Sequence, residues 1–98
     1  MLEEAADQGY ANAQFNLGNM YAQGKGRLPQ SDVIASQLYR MAADQRLAQA
    51  QSILGLMHEN GQGVAQDYSA AMKWYRMAAD QGEAQAQCNL GLRCGVLY

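Results

Sequence analysis

The chain has 98 residues, a formal net charge of −2 and 49% apolar residues, enough for one small domain that buries only a little over half of its unfolded surface. The acidic balance gives no basic footprint for nucleic acid or for a polybasic membrane contact. No run approaches the roughly 18 apolar residues of a spanning helix, and the acidic opening Met1-Leu2-Glu3-Glu4 is unlike a secretory signal. The sequence as written is therefore expected to remain in the cytoplasm with no nucleic acid, membrane or cofactor to bind, although a signal on a longer parent chain would leave no trace in it.

Ala supplies much of the apolar share, whereas Phe15 and Trp74 are single occurrences and Pro29 is the one proline. An interior of this kind needs closely approaching backbones, and the long stretches of Ala, Leu, Gln, Glu and Met are strong helix formers. In chain order, residues 1–8 read as the tail of a helix closed by Gly9. The first complete helix is predicted from about Ala11 to Gln23, with Ala13, Leu17 and Tyr21 along one side, and stops at Gly24-Lys25-Gly26. The second is predicted to follow Ser31, an N-cap, and to carry Ala35, Leu38, Tyr39, Ala42 and Ala43 before ending near Gln45. Ala50, Leu54 and His58 repeat the first pattern. Asp67 caps a further helix bearing Ala71, Trp74, Tyr75, Ala78 and Ala79, and Gly82 closes it.

The chain matches itself. Ala-Ala-Asp-Gln occurs at Ala5, Ala42 and Ala78, at intervals of 37 and 36 residues, and the same offsets carry Ala13-Gln14-x-x-Leu17-Gly18 onto Ala50-Gln51-x-x-Leu54-Gly55 and Ala86-Gln87-x-x-Leu90-Gly91. Gly24-x-Gly26 falls on Gly61-x-Gly63, and Tyr39-Arg40-Met41 on Tyr75-Arg76-Met77. This period marks a stacked helical array: a partial repeat at 1–8, repeats at 9–45 and 46–81, and a truncated repeat at 82–98. The fold expected is all-α, an α/α solenoid forming a right-handed superhelix of about two and a half helix-turn-helix units.

Gly18, Gly55 and Gly91 recur inside the first helix of each unit, where glycine costs about 1 kcal/mol relative to alanine. Close packing of a second helix through its Ala-Ala pair is the expected reason. Arg46 stands where Gly9 and Gly82 stand, so either a side-chain-bearing residue adopts the helix-closing conformation or the turn differs. The loop at residues 27–30 carries an extra residue and Pro29, and His58 replaces the Tyr21 of the previous unit. After Gly91 the pattern dissolves.

Trp74-Tyr75-Arg76-Met77-Ala78-Ala79-Asp80-Gln81-Gly82-Glu83-Ala84-Gln85-Ala86-Gln87, in register with its counterparts, resembles the Sel-one-like repeat family, helical relatives of the tetratricopeptide repeats. The resemblance covers nearly the whole chain. It implies an adaptor or scaffold that holds other proteins; bacterial members are often linked to signalling, envelope processes or contact with host factors, and eukaryotic ones to membrane-associated degradation complexes.

Groupings that carry chemistry are weak. His58-Glu59 lacks the second histidine of a zinc motif, since His58 is the only one, and a structural imidazole is the simpler reading. Gly24-Lys25-Gly26 lacks the spacing and hydroxyl residue of a phosphate loop, and its copy Gly61-Gln62-Gly63 has no lysine, which favours a turn. Asp7, Asp44 and Asp80 come once per unit and read as solvated or locally bonded carboxylates. Cys88 and Cys94 are the only cysteines; on one helix their Cα atoms would lie roughly 9 Å apart, so free thiols are expected, Cys88 being small and buried rather than reactive. No enzyme is expected.

Positions that differ between units are released from building the stack. In the first helices these are Asn12, Asn16 and Asn19, then Gln49, Ile53 and Leu56, then Gln85, Asn89 and Leu92. First helices usually line the concave side of stacked pairs, so these nine residues are expected to form a groove that takes a peptide or helix of a partner protein, with Ile53 and Leu56 as anchors. The other reading is a self-assembling unit, or a fragment of a longer repeat protein, whose cut ends stack on other copies through Leu90, Val96, Leu97 and Tyr98.

Overall fold

The computed structural model describes residues 10–24 and 30–89. Among them are five helices and no strand: α1 (Ala11–Gln23), α2 (Asp32–Asp44), α3 (Ala48–Asn60), α4 (Tyr68–Asp80) and α5 (Ala84–Asn89). Each packs mainly on the next, so the helices form an α/α solenoid in which α1 with α2, and α3 with α4, are the repeating pairs.

The ends of the helices follow local chemistry. The Ser31 hydroxyl accepts from the Ile34 amide at 3.1 Å, and an Asp67 carboxylate oxygen accepts from the Ala70 amide at 3.0 Å, each satisfying one of the amides a helix start leaves open. Gly24 and Gly61 close α1 and α3 in the left-handed conformation, at φ 65° and 69°. After α2 the amide of Arg46 donates to the Ala43 carbonyl at 2.9 Å and that of Leu47 to the Ala42 carbonyl at 3.2 Å; after α4, Gly82 and Glu83 repeat this pair onto Ala79 and Ala78. Both are Schellman closures, which put one residue in the left-handed region. Arg46 adopts it at φ 72° and Gly82 at φ 86°, so of the two outcomes open to Arg46 the first holds. Glu83 then doubles as a cap, its carboxylate accepting from the Ala86 amide at 2.7 Å.

The core is thin and alanine-built. Ala35, Ala42, Ala43, Ala50, Ala78 and Ala86 are fully buried, and bulk comes from Tyr39, Tyr75, Leu54 and Met57. Phe15 packs against clusters in both repeats and meets Tyr39 with ring centroids 5.7 Å apart. The glycines inside the first helices face these tyrosines rather than an Ala-Ala pair. A Cβ on Gly55 would stand 2.7 Å from the Tyr75 ring, and one on Gly18 would stand 2.9 Å from that of Tyr39. The expectation about the partner is thus corrected: what the glycine admits is a flat ring laid across the first helix. Gly9, Gly91 and residues 27–29 lie outside the described residues.

Candidate partner-binding face

The first helices α1, α3 and α5 carry the stripe of variable residues. Asn12 and Asn16 of α1, Gln49 of α3 and Gln85 of α5 are exposed, and Leu56 is 42% exposed. The other three described members have partners. Asn19 accepts a hydrogen bond from the Tyr39 hydroxyl at 2.5 Å. Asn89 accepts one from Gln85 at 3.0 Å. Ile53 is half-buried against the cluster of Ala35, Tyr39 and Met57. Leu92 lies outside the described residues, as do Leu90, Val96, Leu97 and Tyr98. All nine side chains are uncharged, so the face offers carboxamides and aliphatic groups rather than a field.

Two relationships behind this face were not anticipated from the residues. The first is an exchange of acceptors. Asn19 serves Tyr39 in the first repeat, but Leu56 occupies its place in the second and has nothing to offer a hydroxyl. The Tyr75 hydroxyl instead donates to Glu59 at 2.6 Å, one helical turn further on, where the first repeat has Ala22. Leu56 therefore has no hydrogen bond to Tyr75 to match the one Asn19 makes with Tyr39. Burial, then the charge of Asp32, pushes the Tyr39 hydroxyl up to about 12. Tyr75 is pushed up as well, by burial first and then by the hydrogen bond and charge of Glu59. Both hydroxyls stay protonated donors at neutral pH.

The second relationship is a ladder of glutamines built on the buried Gln14 and Gln51. Gln45 donates to Gln14 at 2.7 Å and Gln81 to Gln51 at 2.8 Å, while Gln51 and Gln87 donate to the Ala43 and Ala79 carbonyls of the preceding repeat at 3.1 and 3.2 Å. The signal was present in the recurrence of Gln14, Gln51 and Gln87 beside a core alanine, a polar residue held constant where burial is expected.

The remaining candidates resolve into local structure. His58 Nδ1 lies 3.4 Å from the Ala65 carbonyl, in the turn that follows its helix. Asp44 pairs with Arg40 at 3.3 Å in an exposed i, i+4 contact. Cys88 is disulfide-bonded, which corrects the expectation of a free thiol. That expectation assumed one helix running through both cysteines; Cys94 lies outside the described residues. Arg40 sits over the Trp74 ring, 5.4 Å from its centroid, in a groove of about 320 Å³ that also includes His58 and Lys73. Among the described residues no helix is long and apolar enough to cross a membrane.

Paired helices of constant phase, locked by buried glutamines and leaving variable positions outward, define an α/α repeat scaffold. Residues 11–47, 48–83 and 84–98 each match the Sel1 repeat, and the chain belongs to the Sel1 repeat family. No curated protein matches it, but solved structures do. A Sel1 repeat protein from Oxalobacter formigenes is 39% identical with a TM-score of 0.90, over 92% of this chain and 67% of that one. The protective antigen c5321 of uropathogenic Escherichia coli, described as displaying an SLR fold, is 40% identical with a TM-score of 0.88 over 94% of this chain. Cysteine rich protein B of Helicobacter pylori is 27% identical with a TM-score of 0.83 over 98% of this chain. The chain spans 20% of the length of the second and 66% of the third. Sel1 repeats typically mediate protein–protein interaction and are generally non-catalytic scaffolds.

Proposed function

We propose that the chain is a non-catalytic adaptor that holds a peptide or helix of another protein along the stripe on its first helices. The observation that carries this reading is the exposure of Asn12, Asn16, Gln49, Leu56 and Gln85 on successive first helices while the identical positions are spent on the core. Carboxamides offer a donor and an acceptor each, which suits the backbone of an extended peptide, and Leu56 supplies an apolar anchor among them. Asn19 and Ile53 contribute less to a partner because Tyr39 and the core cluster already engage them.

The test is Leu56→Asp with Asn16→Ala. Both residues are exposed, so the helical melt is expected to stay within a few degrees of wild type. Proteins captured specifically by the wild-type chain should be lost by the variant; an unchanged captured set contradicts the stripe as the binding face.

A further inference from the structure

Asparagine followed by glycine occurs once in the chain, at Asn60-Gly61; the other asparagines precede alanine, leucine or methionine. In such a pair the glycine nitrogen, with no side chain beside it to block the approach, reaches the asparagine carboxamide and closes a five-membered ring. Asn60 is the last residue of α3 and is exposed, and Gly61 closes that helix in the left-handed conformation at φ 69°. One repeat earlier the same closure is built from Gln23 and Gly24, at φ 65°. The longer glutamine side chain would need a six-membered ring, which forms far more slowly. The two repeats therefore share this turn and differ in its reactivity.

The fold holds the reaction back. The Gly61 amide is committed to the Met57 carbonyl, which also accepts from the Gln62 amide at 2.9 Å. Across the turn, Gln66 donates its side-chain amide to the Glu59 carbonyl at 3.0 Å, and the Asp67 amide donates to the His58 carbonyl at 2.9 Å. The Gly61 nitrogen can attack only once its bond to Met57 opens. The end of a helix is where such local opening is easiest.

We propose that Asn60 is a deamidation site gated by the closing turn of α3. When the turn opens, the Gly61 nitrogen loses its proton to solvent and bonds to Asn60 Cγ; the side-chain nitrogen takes up a proton and leaves as ammonia. Water then opens the resulting succinimide at either carbonyl, giving aspartate or isoaspartate. The new carboxylate stands beside Glu59, which already accepts from the Tyr75 hydroxyl, at a helix end whose open carbonyls disfavour negative charge. Isoaspartate also lengthens the backbone by one carbon, which pulls Gly61 away from Met57. Further along the same turn, a Cβ on Gly63 would overlap the Asp32 carbonyl of α2, and the Gly63 carbonyl lies 3.3 Å from the Ser36 hydroxyl. Loosening this turn therefore loosens the contact between the two repeats. The chemistry belongs to the turn and not to the first-helix stripe, so neither reading depends on the other.

Peptide mass spectrometry on the chain incubated at mildly alkaline pH, in buffer and in guanidinium chloride, tests the proposal. The mass gain of deamidation should appear at Asn60 before any other asparagine. It should form roughly tenfold or more slowly in buffer than in denaturant, where the turn is open. Gln66→Ala, which releases the Glu59 carbonyl, should speed the reaction in buffer by about two- to fivefold and leave it unchanged in denaturant. Asn60→Gln copies the first repeat and should abolish the reaction with unchanged helical circular dichroism, and Asn60→Asp should melt below Asn60→Gln. Deamidation at Asn60 no faster than at Asn12 or Asn16 in denaturant overturns the site. Equal rates at Asn60 in buffer and in denaturant overturn the gate.

Discussion

Gln81 at the end of α4 donates its side-chain amide to the buried Gln51 of α3 at 2.8 Å, and Gln51 passes its own amide to the Ala43 carbonyl of the preceding repeat. One side chain thus ties together the two helices of its repeat and the repeat before it. Replacing it with leucine removes both hydrogen bonds, each worth about 0.5–1.5 kcal/mol net, while the Ala43 carbonyl keeps the Arg46 amide and Gln81 reaches solvent. Urea denaturation of Gln51→Leu should show that loss, whereas the same change at exposed Gln49 should leave the midpoint nearly unmoved.

Gly55 and Gly18 make way for tyrosine rings. Alanine would gain about 1 kcal/mol of helix propensity, yet its Cβ would stand 2.7 Å from the ring of Tyr75 or 2.9 Å from that of Tyr39. Overpacking a well-filled core costs typically about 1–3 kcal/mol, so Gly55→Ala is expected to lower the thermal midpoint, and to lower it more than Gly18→Ala. A rise in either midpoint would mean that the rings move aside freely.

Alkaline pH should weaken the fold through the same tyrosines. The folded-state value of Tyr39 lies above its ordinary value of 10, at about 12, and Tyr75 is shifted in the same direction. A group raised in the folded state contributes stability that is fully present below its unfolded value and lost as pH rises through the folded one. The urea midpoint should therefore begin to fall near pH 10 and continue falling through pH 12. The double variant Tyr39→Phe, Tyr75→Phe should lose part of that slope, measured against wild type at matched ionic strength.

Arg46 holds a left-handed conformation at φ 72° in a turn where the equivalent position is Gly82. Side-chain crowding there costs about 1–2 kcal/mol, against roughly 0.4–1 kcal/mol of extra chain entropy that glycine brings to the unfolded state. Arg46→Gly is expected to stabilise the chain slightly, read as a small upward shift in the urea midpoint with no change in slope.

Much of the fold was readable because it is written locally and then repeated. Ser31 and Asp67 sit one residue before their helices, Gly24 and Gly61 just after theirs, and the offsets of 37 and 36 residues fix which helix pairs with which. What escaped was decided across helices. The direction in which Tyr39 and Tyr75 lay their rings determines that they, and not the alanines, meet Gly18 and Gly55. The acceptor for each tyrosine moves by a turn, from Asn19 to Glu59, because Leu56 displaces it. At the candidate face the outward phase of Asn12, Asn16 and Gln49 follows from helical periodicity alone, but the half-burial of Ile53 depends on Ala35 and Tyr39 of α2.

The most direct test of the adaptor reading is site-specific photo-crosslinking in a lysate, with a photoreactive residue placed in turn at Asn16, Gln49 and Gln85 on the stripe and at Gln37 and Lys73 on the second helices. Partner adducts confined to the three stripe positions, and lost when Leu56 is changed to Asp, are the predicted result. Adducts of equal yield from Gln37 and Lys73, or from those two alone, would contradict a binding face on the first helices.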